Sequence, residues 1–393
     1  MIATIILAAA SCAAEVFGPL VKTGELPGVV SVLYNNGVEE VECLGYADVA
    51  AKRKITMDDA FEQMSQTKGF CGVALAKLIE EGKIQLDDPV SKYLFMFNEL
   101  WVKDTCTNGV KTLKKAKNTL TIRMIMNHTG GLEYDLPNFV AMGGYPHRMP
   151  LVSVATIAAT LPLKFEPGTG VQYSNLGIDI GAVIVEKVTK MPFEEYIKKN
   201  IIDPLGMKET TFYPSQQMLA KRIELYKLQK GGKAAVWMKN HNSDPSARAP
   251  DAGRRNKFPS AGAGLWTTAR DQLKFYKMLM NLGVGDNGAR ILKEETVKKY
   301  LAVNTRQTDK ERWYSMGLTA PGKDNEDGWF GHGGAWQTQC LVNYHKKQLR
   351  LYVVQVCGAA DFKMTELYDK AADAFFKKKI DNSKVNEYTG RTK

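Results

Sequence analysis

The chain has 393 residues, 44% of them hydrophobic and 24% charged, which allows a sizeable core and exceeds the usual size of one domain. Its 53 basic and 42 acidic residues leave a net charge of +11, with lysines scattered except at Lys111, Lys114, Lys115, Lys117 and the run Lys377-Lys378-Lys379. No aromatic-basic interleaving or nucleic-acid motif accompanies them, which argues against a nucleic-acid partner. A solvated surface, or contact with an anionic envelope polymer or membrane surface, accounts for the charge.

In chain order, Ile2–Ala10 is a short apolar run followed by small residues, and no Lys or Arg occurs before Lys22. It reads either as an export signal, with Ala10-Ser11-Cys12 similar to a lipoprotein cleavage site that would lipidate Cys12, or as an ordered first helix. The first reading places the protein in the cell envelope or outside the cell, the second in the cytoplasm. Val29–Tyr34 and Val38–Leu44 flank Asn35-Asn36-Gly37 and predict a hairpin. Ser65 to Glu81 predicts a helix closed by Gly82, with Phe70, Val73, Ala74, Lys77 and Leu78 at helical spacing. Trp101–Thr107 and Val110–Leu113 predict a lysine-rich second hairpin, an excursion from the body. Helical segments dominate from Leu120 to about Met218.

Residues 228–262 are rich in Gly, Pro, Ser, Asn and Arg and read as a long loop of the kind that is usually functional. Trp313–Thr319, Trp336–Tyr344 and Leu349–Cys357 then read as strands. The last two form a hairpin turning at His345-Lys346-Lys347-Gln348, with Cys340 opposite Val353. A helix follows from about Met364 to Phe376. This order predicts an α/β fold with an antiparallel sheet flanked by helices and built from both chain ends. Residues 1–60 and 265–393 would form the α/β domain and 61–264 an inserted, mostly helical domain, with the active site in the cleft between them. The six cysteines show no CxxC and no zinc spacing, so unpaired thiols are expected. Apart from the N-terminal run, no stretch approaches the length of a membrane span.

Three motifs carry the chemistry. Ser65-Gln66-Thr67-Lys68 is the one place where a serine has a lysine three positions on. A serine hydroxyl is a poor nucleophile until a base takes its proton. On a helix, positions i and i+3 share a face, so Lys68 can bring its amine to Ser65. Tyr173-Ser174-Asn175 and His332-Gly333-Gly334 follow. The ordered set resembles the penicillin-recognising serine hydrolases, closest to the branch of class C β-lactamases, D-alanyl-D-alanine carboxypeptidases, D-aminopeptidases and related esterases. The resemblance runs from about Leu26 to about Gly358. It includes Leu86-Asp87-Asp88-Pro89-Val90, Asn127-His128-Thr129-Gly130-Gly131-Leu132, Pro204-Leu205-Gly206-Met207 and the stretch from Gly264 to Asp271.

The resemblance implies a β-lactamase/transpeptidase-like fold and a role for each matching residue. Ser65 would be the nucleophile and Lys68 its activating partner. Tyr173 would be a second base and the acid for the leaving group, its phenol made more acidic by a protonated Lys68. Asn175 would hold the acyl side of the substrate and orient Lys68. The N–H groups of Ser65 and Ala335 would form the oxyanion hole. Which of Lys68 and Tyr173 takes the serine proton stays open in the sequence.

At the third motif, class C β-lactamases carry Lys-Thr-Gly, whereas His332 is mostly neutral at pH 7 and attracts a substrate carboxylate less. The expected substrates are therefore carboxylic esters, then D-amino-acid peptides or amides, then β-lactams. A non-catalytic penicillin- or peptide-binding sensor is the alternative of another class. No metal or cofactor is implied.

Several matches read as decoys. Lys22-Thr23-Gly24 precedes the nucleophile and belongs at a helix end. Tyr34-Asn35-Asn36 is a hairpin turn, and Gly283-Val284-Gly285-Asp286-Asn287-Gly288 follows a helix rather than a strand. His128 and His345 read as structural or exposed, and His147 and His241 as loop residues near the cleft.

Overall fold

The computed structural model describes residues 11–136, 149–227, 236–237, 258–306, 314–320, 328–357 and 364–377. Ile2–Ala10, His147, His241, Lys378 and Lys379 lie outside the described residues.

Helix α1 (Cys12–Lys22) opens with Ser11, whose hydroxyl accepts the Ala14 N–H at 3.0 Å, a cap that meets one of the donors a helix start leaves unpaired. Cys12 is buried. Thr23 caps the other end, so Lys22-Thr23-Gly24 is the end of a helix. Strands β1 (Gly28–Asn35) and β2 (Val38–Asp48) form the expected hairpin, and β3 (Arg53–Lys54) and β4 (Ala60–Glu62) follow. A 3₁₀ turn over Met64–Thr67 leads into α2 (Lys68–Glu80). This helix is buried almost all round, as befits one at the centre of a molecule.

The second hairpin is β5 (Trp101–Thr107) and β6 (Val110–Lys115). Helices α3 (Ile122–Met126), α4 (Leu151–Thr160) and α5 (Asn175–Thr189) come next. The expected long loop 228–262 is not wholly structureless, because β7 (Tyr226–Lys227) pairs with β8 (Val236–Trp237). Strand β9 (Trp266–Thr268) pairs with β4 and runs into α6 (Ala269–Met280), capped by the Thr268 hydroxyl on Asp271 N–H. The last described elements are β10 (Trp329–Gly334), β11 (Thr338–Asn343), β12 (Gln348–Val353), β13 (Val356–Cys357) and α7 (Met364–Lys377).

The main sheet has the order β10-β11-β12-β1-β2-β3, with every neighbouring pair antiparallel, so both chain ends build it. Alternation along β1 sends Val29 and Leu33 to one face and Val30 and Val32 to the other. The first pair packs with Phe17 of α1 and Tyr368 and Phe375 of α7. The second joins the larger core with Phe70 of α2 and Phe275 of α6. The mixed α/β architecture follows from both faces of this sheet being apolar and covered.

Two sequence expectations fail here. Trp313–Thr319 is not a strand: Tyr314 and Thr319 touch β-fashion around a turn in which Ser315 N–H bonds Leu318 O at 2.8 Å, while Trp313 lies outside the described residues. The last hairpin turns one residue earlier than expected, with Asn343 opposite Gln348, which shifts the pairing by two and places Cys340 opposite Leu351 rather than Val353. A shift of two keeps every side chain on its expected face. Cys357 sits in β13, outside that hairpin, and Cys12, Cys43, Cys71, Cys106 and Cys340 are free thiols. Among the described residues, no helix is long and apolar enough to cross a membrane, and no group of His, Cys, Asp or Glu could hold a metal ion.

Candidate active site

Ser65 lies on the 3₁₀ turn that introduces α2, behind Met64, which is held at a φ of 51°. Left-handed backbone at a non-glycine residue costs energy and is concentrated at functional sites. The turn of sequence between Ser65 and Lys68 brings the Lys68 Nζ to 3.0 Å from Ser65 Oγ. The same amine donates to Asn175 Oδ1 and to Gly262 O, each at 2.7 Å. Lys68 is fully buried, and that burial pushes its amine from 10.5 down to about 7, against Asp179 and Asp135, whose charges favour the ammonium. Near neutral pH a lysine so placed is divided between a proton acceptor and a cation.

The second motif is set by the start of α5. Ser174 is its N-cap, accepting from Gly177 N–H at 3.0 Å and donating to Glu133 O at 2.6 Å. That cap leaves Tyr173 just outside the helix and Asn175 as its first residue. One turn further along α5, Asp179 accepts from Gly262 N–H at 3.0 Å and Ser260 Oγ at 3.2 Å. Burial raises the Asp179 carboxyl well above the usual range. Asp179 thus pins the segment whose carbonyl holds Lys68. The Tyr173 ring lies under the Lys68 amine, 4.7 Å from the nitrogen, and edge-on to Tyr314 with ring centroids 6.3 Å apart. Burial pushes the pKa of the Tyr173 phenol up, opposite to the lowering expected from Lys68.

The third motif lies on β10. Gln66, between Ser65 and Lys68 in sequence, donates from its side chain to His332 O at 3.1 Å and so ties the nucleophile turn to this strand. Gln272 of α6 in turn donates to Gln66 Oε1 at 2.6 Å. Gly334 lets the strand end come close, because a Cβ there would fall 2.6 Å from Gln63 O. Ala335 follows, exposed, in the turn after β10.

His332 itself is buried, and burial followed by the nearby Lys68 charge pushes its ring down to about 3. Its Nε2 meets the Tyr314 hydroxyl at 2.6 Å and its Nδ1 faces Gly333 O. The ring is therefore uncharged and turned toward the protein.

The Beta-lactamase family matches residues 13–364 of this chain. The chain belongs to the Beta-lactamase family. Within that breadth, Protein Rv1367c of Mycobacterium tuberculosis is 30% identical over 306 residues, covering 76% of this chain and 72% of that protein. Among solved structures, EstCE1, a hydrolase with promiscuous acyltransferase activity, superposes with a TM-score of 0.71 at 20% identity, covering 93% of this chain and 98% of that one. A variant of the simvastatin synthase LovD from Aspergillus terreus gives 0.73 at 19% identity over 94% and 99%. At these identities the structures show a shared Beta-lactamase-type fold.

Ser65, Lys68, Tyr173 and Asn175 are thus brought together, with His332, Gly333 and Gly334 on the adjacent strand. His128, read in sequence as structural, is buried behind the site, accepting Ser174 N–H at Nδ1 with its ring 4.3 Å from that of Tyr173. His345 is exposed. Sequence reasoning missed Gln66, Asp179, Gly262 and Tyr314. Asp179 was within reach: it stands at i+4 from Asn175, on the same helix face. Nothing in the sequence marks the Gly262 carbonyl.

Proposed function

We propose that this protein is a serine hydrolase that works through a Ser65 acyl-enzyme and acts on carboxylic esters. The observation that carries the reading is the contact of Lys68 Nζ with Ser65 Oγ, combined with the burial that brings the amine to about 7. A base matched to the working pH is what general-base catalysis needs. Lys68 takes the Ser65 proton as Oγ bonds to the ester carbon, and the oxyanion is received by the N–H groups of Ser65 and Ala335. One such donor is worth about 3–4 kcal/mol. As the C–O bond breaks, Tyr173 protonates the departing alkoxide, and the Lys68 ammonium returns a proton to the phenolate. Water then attacks the acyl-enzyme by the same steps in reverse roles. Tyr173, with its acidity lowered by burial, suits the acid role better than the base role.

Esters are favoured because the third motif supplies no cation. A charged hydrogen bond to a substrate carboxylate contributes about 1.5–3 kcal/mol, or roughly 10–150-fold if it tightens in the transition state. The likeness in fold to a hydrolase with acyltransferase activity agrees with this. One observation supports a second reading. Asp135 is exposed beside the site, accepting only weakly from Asn175 Nδ2 at 3.2 and 3.4 Å, and could pair with the amine of a D-aminoacyl amide.

The test measures kcat/KM for p-nitrophenyl acetate, a chromogenic cephalosporin and D-alanyl p-nitroanilide. The ester should exceed the cephalosporin by about 10–150-fold. A preference for the cephalosporin would overturn the ester reading, and a preference for the anilide would put the amidase in its place. Covalent capture of any of them without release would identify a sensor.

A further inference from the structure

The hairpin β5–β6 stands apart from the rest of the fold. It joins neither the main sheet nor the pair β4–β9, and every residue of β6 is exposed. A lone two-stranded ribbon is marginal in water, so its base has to be tied down. Val102 is buried in the core, Lys103 N–H bonds Leu163 O at 2.9 Å, and Leu163 N–H bonds Trp101 O at 2.7 Å. The Lys103 ammonium reaches the Glu133 carboxylate at 2.5 Å, and the Glu133 carbonyl is the one that accepts the Ser174 hydroxyl. The ribbon is thus anchored beside the second motif while the rest of it stands in solvent.

Register decides which side chains share its outer face. Trp101 stands opposite Lys115, Lys103 opposite Leu113, and Cys106 opposite Lys111. Opposed residues share a face, as do alternate residues along a strand. Trp101, Lys103, Lys111, Leu113 and Lys115 therefore lie together, on the face away from buried Val102. Trp101 is 48% and Leu113 46% exposed, with Val110 at the tip 65% and Phe95, on the turn before β5, 78%. These are four of the eight large hydrophobic side chains exposed among the described residues, all between positions 95 and 113. Exposed apolar groups gathered in this way mark an interaction site. Residues 95–117 also hold five lysines against two acids, Glu99 and Asp104, and no arginine.

We propose that the outer face and tip of the β5–β6 hairpin dock this protein on an anionic lipid bilayer, with Trp101, Val110 and Leu113 entering the headgroup region and Lys111 and Lys115 meeting lipid phosphates. The composition selects this occupant. Protein interfaces enrich arginine and deplete lysine, the reverse of what the hairpin carries. At a bilayer surface a tryptophan sits at headgroup level, and a lysine lays its stem along the apolar part while its ammonium stays with the phosphates. Apolar insertion and a basic cluster are the two signals that together give stable attachment without a membrane span. The exposed Lys115–Glu99 pair is of the weak kind that a lipid phosphate can replace. Docking is independent of the Ser65 chemistry.

The test is co-sedimentation of the full chain with phosphatidylcholine vesicles, plain or containing about one-third phosphatidylglycerol, at low and high salt. Wild type should bind the anionic vesicles, release them in high salt, and ignore the neutral ones. Lys111→Ala with Lys115→Ala should weaken binding by about 30-fold, at roughly 5-fold per cation near a charged surface. Val110→Ser with Leu113→Ser should weaken it by about 10-fold or more. All four side chains are exposed, so both variants should melt as wild type does and keep its kcat/KM for p-nitrophenyl acetate. Lys298→Ala with Lys299→Ala removes the same charge from exposed lysines outside the hairpin and should bind within about 2-fold of wild type. Equal losses from the two lysine pairs would make the net charge of the whole chain responsible and overturn the proposal. Equal binding to neutral vesicles, or no binding to either kind, would overturn it as well. Self-association in solution that Val110→Ser with Leu113→Ser abolishes, without vesicle binding, would give the face to a second copy of this chain instead.

Discussion

Lysine plays two parts in this molecule, and the contrast between Lys68 and the lysines of the β5–β6 hairpin separates chemistry from surface. Lys68 is buried with three hydrogen-bond partners within 3.0 Å, and burial changes what the amine can do. Lys114 and Lys115 stand in solvent, paired with Asp104 at 3.0 Å and Glu99 at 2.8 Å. Exposed pairs of that kind contribute about 0–1 kcal/mol. The hairpin also exposes Trp101, Val110 and Leu113, and Val102 is its one apolar group buried in the core. Basic residues that cluster in sequence carry less information here than one lysine set three residues after a serine.

Substitutions sharpen that contrast. Tyr173→Phe removes one hydroxyl from the buried cluster and should slow turnover of an alkyl ester by about 10²–10⁴-fold with a melting temperature close to wild type. Turnover within a few-fold of wild type would leave Lys68 alone to handle both protons. On the hairpin, Lys115→Ala should change stability by less than about 1 kcal/mol and leave kcat/KM for p-nitrophenyl acetate unaltered. A loss there comparable with that of Tyr173→Phe would make the hairpin part of the site and erase the distinction.

The residues legible in the sequence are those whose chemistry leaves no substitute. Ser65, Lys68, Tyr173 and Asn175 stand out because acyl transfer demands a nucleophile, a base, an acid and an orienting amide at helix starts. The hairpins at Asn36-Gly37 and Asn108-Gly109 were legible through their turn residues. Strand β10 was not, since Gly331, Gly333 and Gly334 deplete the very propensity that marks a strand. Tyr314 was hidden in a segment that reads as β, where the left-handed Gly317 makes a turn instead. The turn of the last hairpin, Tyr344 to Lys347, reads one residue late in the sequence because it carries no strong turn pair and bends at a left-handed Lys347. The Gly262 carbonyl is a backbone group delivered by tertiary packing, and no residue type encodes it.

The central claim is that Ser65 is activated by a lysine made basic-form at neutral pH by burial. It is tested most directly by the rate of covalent labelling with a fluorophosphonate as a function of pH, with the labelled residue located by peptide mass. The unprotonated amine is the competent form, so the rate should rise with pH through a midpoint near 7, the value to which Lys68 is pushed. The label should fall on Ser65 and be lost in Ser65→Ala. Labelling that persists in Ser65→Ala, or a rate that stays flat across that range and climbs only near 10, the ordinary range of a free lysine or tyrosine, would contradict it.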